Sequence, residues 1–488
     1  MKLSFSYKAI LFSCRAILFA RKTILFSRRA IRPVFNTPLL LCAIFLLSGS
    51  SCKKALEAKP AYLSTTSEQF ANDASANAAI AGLYGQINAA STFTTGIPLQ
   101  TTLSSDEMSF VGYQSYGDMF SYALTPASAT TNSYWGASYN IIYIANSILG
   151  GVTASGGVST ATKNQIIGEA RFIRAFCYFY LVNLYGKVPL VTGADYAVNS
   201  LLPRTSVDSV YQLILSDLAA ADSLTSDAYP TDGRVRVNKW AAKAMLARVY
   251  LYRGDWVDAA SRASEVIGNN QVYYLESLDN IFLSTSNEAV LQFWTKQGYT
   301  GEGVNSLPSY GTYLYYAMTA DSTYGLVSAF EANDLRKSSW VASETSAYDG
   351  NFYYYSTKYK QNGPNGSNSE YLMVLRLAEQ YLIRAEALAK QGQLTAAIAD
   401  INAIRQRAGL NALSGSLSSD AILSAIEQER RVELCFEWAD RWLNLKRTNR
   451  AGAVLGAAKT GWTSDAALYP IPLTEIKNNP NLVQNSGY

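Results

Sequence analysis

Two stretches of this chain are built on one plan. Ala241-Ala242-Lys243-Ala244-Met245-Leu246-Ala247-Arg248 runs on to Gly254-Asp255-Trp256 and then Ala259-Ala260. Ala378-Glu379-Gln380-Tyr381-Leu382-Ile383-Arg384-Ala385-Glu386-Ala387-Leu388-Ala389 is followed by Ala396-Ala397. Each sets small residues where two helices approach closely, breaks at a glycine, and resumes as a second alanine-rich helix. Such pairs cannot bury their apolar faces alone; stacked, they share a core and leave one concave side. The chain is therefore expected to be mainly α, a tetratricopeptide-like scaffold of helical pairs, with 169–184 as a candidate third unit.

Apolar residues three or four apart predict further helices over 64–87, 134–149, 163–185 and 207–223. The repeated units themselves predict 238–253 with 256–268, and 371–391 with 394–409. Two more helices are expected over 419–436 and 437–448. Between them lie irregular, loop-rich insertions at about 91–133 and 270–370, dominated by Tyr, Gly, Ser, Thr and Asn. The tail from Tyr469 carries prolines that cannot continue a helix, so it is expected to lie extended against the scaffold.

Residues 1–51 hold eight basic residues and no acid. They read as an export signal rather than as fold. A complete signal begins near Arg28-Arg29, continues through the apolar run 38–47, and ends in Ser48-Gly49-Ser50-Ser51-Cys52. The apolar run is too short for a membrane-spanning helix, which needs about 20 residues. Small residues ending in cysteine predict a lipoprotein signal, with the Cys52 thiol acylated as a membrane anchor. The seven-residue repeat ahead of it (Lys8-Ala9-Ile10-Leu11-Phe12 and its echoes) is either a membrane-surface helix or sequence upstream of the true start. The second is favoured, because the signal is complete without it. The expected organisation is thus a leader over 1–51 and a single domain over 52–488.

Removing the leader leaves 33 basic against 37 acidic residues, a poor match to nucleic acid, whose phosphates need a cationic field. The chain contains no histidine, which excludes Ser-His-Asp and Cys-His nucleophilic sites and histidine-ligated zinc. No catalytic residue, metal ligand or cofactor is assigned. Glu429, Glu433 and Glu437 lie near Arg430 and Arg431 at helical spacing. That pattern predicts ion pairs on a helix surface rather than a catalytic acid pair.

Five landmarks in order carry a resemblance to a known family. They are Cys52-Lys53-Lys54; Glu169-Ala170-Arg171-Phe172-Ile173-Arg174 leading to Tyr185-Gly186-Lys187-Val188-Pro189; Leu375-Arg376-Leu377-Ala378-Glu379; Glu429-Arg430-Arg431-Val432-Glu433 with Arg441-Trp442; and Tyr469-Pro470-Ile471-Pro472 with the tail beyond. Together they resemble the SusD/RagB family of outer-membrane nutrient-binding lipoproteins. One departure is Trp438-Ala439-Asp440, where the family often has a glycine before Arg-Trp. The resemblance implies a helical scaffold whose loops hold an oligosaccharide or peptide. It also implies a partner, a SusC-like TonB-dependent transporter that receives the ligand, and an outer-membrane, cell-surface location. Lys53-Lys54 supplies no acidic export tag, so the leaflet stays open.

Ligand contacts are expected from aromatics on the loop-rich insertions, because a rigid frame presents them there. One set is Phe110, Tyr113, Tyr116 and Phe120. The other is Trp294, Tyr299, Tyr310 and Tyr313, with Asn305 among them. The bland alternative is that many of these rings are loop packing. Two rival functions remain at this point: a helical carbohydrate-active enzyme using paired carboxylates, and a tetratricopeptide scaffold that binds only protein.

Overall fold

The computed structural model describes residues 66–111, 117–308, 316–320, 323–347, 349–363 and 369–488. The leader, Cys52, Tyr113, Tyr116, Tyr310 and Tyr313 lie outside the described residues.

The described chain is mainly helical. In chain order the principal helices are α1 (Asp73–Ala89), α2 (Ala129–Ala154), α3 (Thr160–Tyr185), α4 (Val207–Leu224) and α5 (Lys239–Arg253). They continue as α6 (Trp256–Gly268), α7 (Leu377–Lys390), α8 (Leu394–Arg407), α9 (Ser419–Glu433) and α10 (Asp440–Arg447). Consecutive helices stack: α2 on α3, α3 on α4, α4 on α5, α5 on α6, α6 on α7, and α7 on α8 and α9. Both repeated units are helical pairs, as their sequence demanded. Asn238 starts α5 by accepting from the Ala241 amide, and Gly254 ends it in the left-handed region at φ 76°. The alanines do what small residues are for: Ala247, Ala259, Ala263 and Ala387 interlock with Leu251 and Ile383 where α5, α6 and α7 meet.

Helix α3 is buried on nearly all sides from Phe172 to Tyr185 and forms the centre of the core. The tail closes over it. The Tyr469 amide donates to Leu184 O at 2.8 Å, and Asn485 Nδ2 donates to Tyr185 O at 2.9 Å. The tail is not extended throughout, because Leu473–Asn478 is helical, entered from Pro472, which cannot itself donate.

Several sequence expectations need correction. The helix expected over 64–87 breaks at 70–72, where Asn72 and Ser75 cap each other's backbone and restart it as α1. Helix α2 begins at Ala129, inside a Ser/Thr-rich stretch read as loop, because Thr130 and Thr131 are buried there. Residues 372–376, expected as helix, are a strand: a short, continuously apolar run carries no period to separate the two.

The insertions also hold more sheet than expected. We number the strands β1 (Met108–Phe110), β2 (Ala289–Phe293), β3 (Tyr316–Met318), β4 (Val341–Thr345), β5 (Phe352–Ser356) and β6 (Leu372–Arg376). An antiparallel sheet runs β1-β3-β5-β4, and a separate ladder pairs β2 with β6. Among the described residues no helix is long and apolar enough to cross a membrane.

Candidate functional site

The two ladders decide where the aromatic residues stand. Phe293 pairs with Leu372 in the β2–β6 ladder, so Trp294 and Tyr371 leave it at the same end. Both line an open cleft of about 480 Å³, within the range of ligand sites. Trp294 is 46% exposed and presents a face to solvent. Asn88, Asp232 and Arg236 bring polar groups to the same cleft, and Asn88 Oδ1 is buried without a partner. A buried network fixes the floor. Tyr84 donates to Glu169 at 2.8 Å, Arg236 meets the same carboxylate at 2.6 and 3.0 Å, and the Val237 amide donates to Tyr84 Oη at 3.0 Å. Glu169, the first residue of its sequence landmark, thus ties α1, α3 and the 235–237 segment together beneath the cleft. Burial, then the Glu169 charge, pushes the Tyr84 phenol well above its ordinary range, so it remains a donor.

The β1–β3 ladder gathers a second group. Phe110 pairs with Tyr316, and their rings lie 5.6 Å apart. Gln100 Nε2 donates to Tyr316 Oη at 3.2 Å, and Tyr134 Oη donates to Gln100 Oε1 at 3.0 Å, beside a hollow of about 190 Å³. The ladder joins the chain positions flanking the two undescribed stretches that carry Tyr113 and Tyr116, and Tyr310 and Tyr313. Behind it, Asp106 accepts from Arg441 at 2.8 Å on both oxygens and from Arg431 at 3.1 Å, which anchors β1 to α9 and α10. Asn305, half-buried on the short helix Gly301–Ser306, donates to its own helix at Gly301 O. Tyr299 is half-buried, and Phe120 is packed beneath Lys459 Nζ, 4.4 Å from its ring centre.

Of the five described candidates, then, only Trp294 lines the 480 Å³ cleft, and only Phe110 sits in the β1–β3 group. Sequence reasoning missed Tyr371, which it placed at the start of a helix. It also missed Gln100 and Tyr134, which lie in or beside a stretch read as featureless loop. Tyr371, which shares the cleft with Trp294, and Tyr316, which pairs with Phe110, are 77 and 206 residues away in the chain, a separation no local pattern reports.

The charged landmarks are not surface pairs. Arg376 donates to Glu288 at 2.8 Å, Glu433 at 2.6 Å and Glu437 at 2.8 Å. Lys358 meets Glu437 at 2.7 Å, and Arg336 meets Glu429 at 2.5 Å and Glu433 at 3.0 Å. All these groups are buried, and their partners come from other elements rather than from the next helical turn. Burial opposes the charge on Glu433, but Arg407, Arg376 and Arg336 together hold it well below the ordinary carboxylate range. The cavity beside this network, lined by Arg376, Glu379 and Glu437, measures about 20 Å³, room for little more than a water. A glycosidic bond has no way between these carboxylates. The departure at Trp438-Ala439 sits at the edge of the network: Phe436, Trp438 and Ala439 all adopt left-handed φ, 62°, 51° and 61°, where a glycine would be unstrained.

With this geometry in hand, comparison with known proteins gives one answer along most of the chain. Residues 267–488 match the model of the SusD family, and residues 56–251 match one described as starch-binding, associating with outer membrane. The chain belongs to the SusD/RagB family. A SusD-like protein of Formosa agariphila is 23% identical over 522 residues, covering 92% of this chain and 99% of the relative. Among solved structures, a SusD superfamily protein from Bacteroides vulgatus aligns at a TM-score of 0.74 and 20% identity, covering 85% of this chain and 99% of the other. A laminarin-binding SusD-like protein aligns at 0.72 and 24%, covering 86% and 100%. At these identities the structural likeness shows the fold.

Proposed function

We propose that this chain is a lipid-anchored glycan-binding protein of the outer membrane. It captures oligosaccharides outside the cell and hands them, unbroken, to a SusC-like TonB-dependent transporter. The observation that carries the reading is the Trp294–Tyr371 cleft: an exposed aromatic face over a floor fixed by buried hydrogen bonds, with amide, carboxylate and guanidinium groups for hydroxyls. The family's starch-binding description and the laminarin-binding relative support a sugar over a peptide. The closely spaced carboxylates Glu433 and Glu437 are sealed in ion pairs, which supports binding without turnover. The sequence of the first 52 residues supports anchoring through Cys52, and the family supports an outer-membrane location.

Calorimetric titration of the full chain in detergent with laminarin and with maltoheptaose tests this reading. Saturable binding is expected, with the glycan recovered intact by chromatography. Hydrolysis of a bound glycan, or no binding to any glycan offered, overturns it.

A further inference from the structure

Helix α2 carries an aromatic stripe whose outer end packing does not account for. Trp135, Tyr139 and Tyr143 are spaced four apart and so share one face. They climb out of the core: Trp135 is buried, Tyr139 is half-buried, and Tyr143 is 49% exposed. The inner two are locked. Their rings lie 5.0 Å apart, Trp135 meets Tyr185 edge-on at 5.1 Å, and Tyr139 Oη donates to Pro189 O at 2.8 Å. The outer ring and Tyr196, which is 82% exposed on the short helix Tyr196–Asn199, both line a cleft of about 440 Å³. Asn199, Ser200 and Asn478 bring amides and a hydroxyl to the walls; Asn199 Nδ2 is fixed on Gly193 O at 2.9 Å.

We propose that this cleft, walled by α2 and the C-terminal tail, is a second glycan subsite for a neutral oligosaccharide. The inference rests on the glycan-binding reading above. Its lining shares no residue with the Trp294 cleft. The volume is that of a ligand site, and the lining combines flat aromatic faces with hydrogen-bonding side chains on a rigid back wall. The charge of the lining fixes the class of sugar. Among the described residues one carboxylate, Glu475, and no Lys or Arg line the cleft, which repels uronates and sulfated glycans and leaves neutral hydroxyls as the fitting partners. Two aromatic clefts on one frame would hold a chain long enough to span them at two places, raising its avidity without a new contact at either.

The test uses the full chain, Tyr143→Ala/Tyr196→Ala, and Trp294→Ala, each titrated with laminarin and maltoheptaose. Both tyrosines are exposed, so the double variant is expected to fold and to keep binding at the Trp294 cleft. Its affinity for the longer chain should fall about tenfold, as losing one of two linked contacts implies. Hydroxyl-radical footprinting of the wild type should show Tyr143 and Tyr196 protected by saturating glycan. Wild-type binding with unchanged affinity in the double variant and no protection overturns the subsite while leaving the first reading intact. No wild-type binding to either glycan overturns both. If the double variant binds glycan normally but no longer co-purifies with its transporter, the cleft is a protein-docking surface and the subsite is overturned.

Discussion

Arg376 donates to Glu433 at 2.6 Å with both side chains sealed from water, and the same guanidinium reaches Glu288 and Glu437. One cation at the junction of β6 and α7 thereby collects three carboxylates from two distant stretches of the chain, Glu288 and the pair Glu433 and Glu437. Pairs of this kind are not strong net stabilisers, since desolvation offsets their attraction, but removing one member strands the others. Arg376→Ala should destabilise the fold by about 3–5 kcal/mol. Urea unfolding followed by circular dichroism measures it; a loss below about 1 kcal/mol would mean that water enters and solvates the orphaned acids.

Trp294 should matter for ligand and hardly at all for folding. A half-exposed ring on an open cleft contributes little core burial, while a central aromatic contact dominates binding. Trp294→Ala should weaken glycan binding by about 2 kcal/mol, roughly thirtyfold, with no measurable change in thermal midpoint. A lowered midpoint with unchanged affinity would place Trp294 in the packing instead.

Glu107 makes stability depend on pH. Burial, and next the neighbouring Asp106 charge, raise its carboxyl from an ordinary 4.5 to about 8. Between those values the folded state holds a proton that the unfolded state has released. Stability from this group is therefore lost as pH rises from 4.5 to 8. Glu107→Gln removes the titration, so the stability difference between variant and wild type should shift in the variant's favour across that window. A difference that stays flat with pH refutes it.

Gly303 sits on the short helix Gly301–Ser306, beneath the 359–361 segment. A Cβ there would come 2.3 Å from the backbone oxygen of Gln361 and 3.3 Å from Tyr359 Cβ. Backbone cannot yield as a side chain tip would, so Gly303→Ala should cost about 1–3 kcal/mol. Differential scanning calorimetry reads this as a lowered midpoint.

Cys177 and Cys435 are buried free thiols, and burial raises both above the ordinary thiol range. Neither should react with a thiol reagent until the protein unfolds. Protein taken from its own membrane and denatured should then titrate two thiols if Cys52 is acylated. Three would mean a free Cys52 and would remove the lipid anchor from the proposal.

The helical pairs were legible because their signal is local. Ala241–Ala260 and Ala378–Ala397 state in one window that two helices meet closely, and a glycine marks the turn. The family landmarks were legible too, but their role was not. Glu429, Glu433 and Glu437 show helical spacing in sequence, yet their partners Arg336, Arg376 and Lys358 come from outside that helix, so a surface reading replaced a buried one.

The sequence by itself determined the class of fold, the helical scaffold and the exclusion of histidine chemistry, all of which rest on composition or short-range periodicity. Tertiary structure alone decided which aromatics face a cleft and which face the core. Strand register between Phe293 and Leu372 puts Trp294 with Tyr371, and the packing of the tail on α2 opens a groove beside Tyr143. The physical reason is range: a helix is written in contacts three and four residues apart, whereas a binding cleft is made by surfaces whose meeting depends on the whole core having closed.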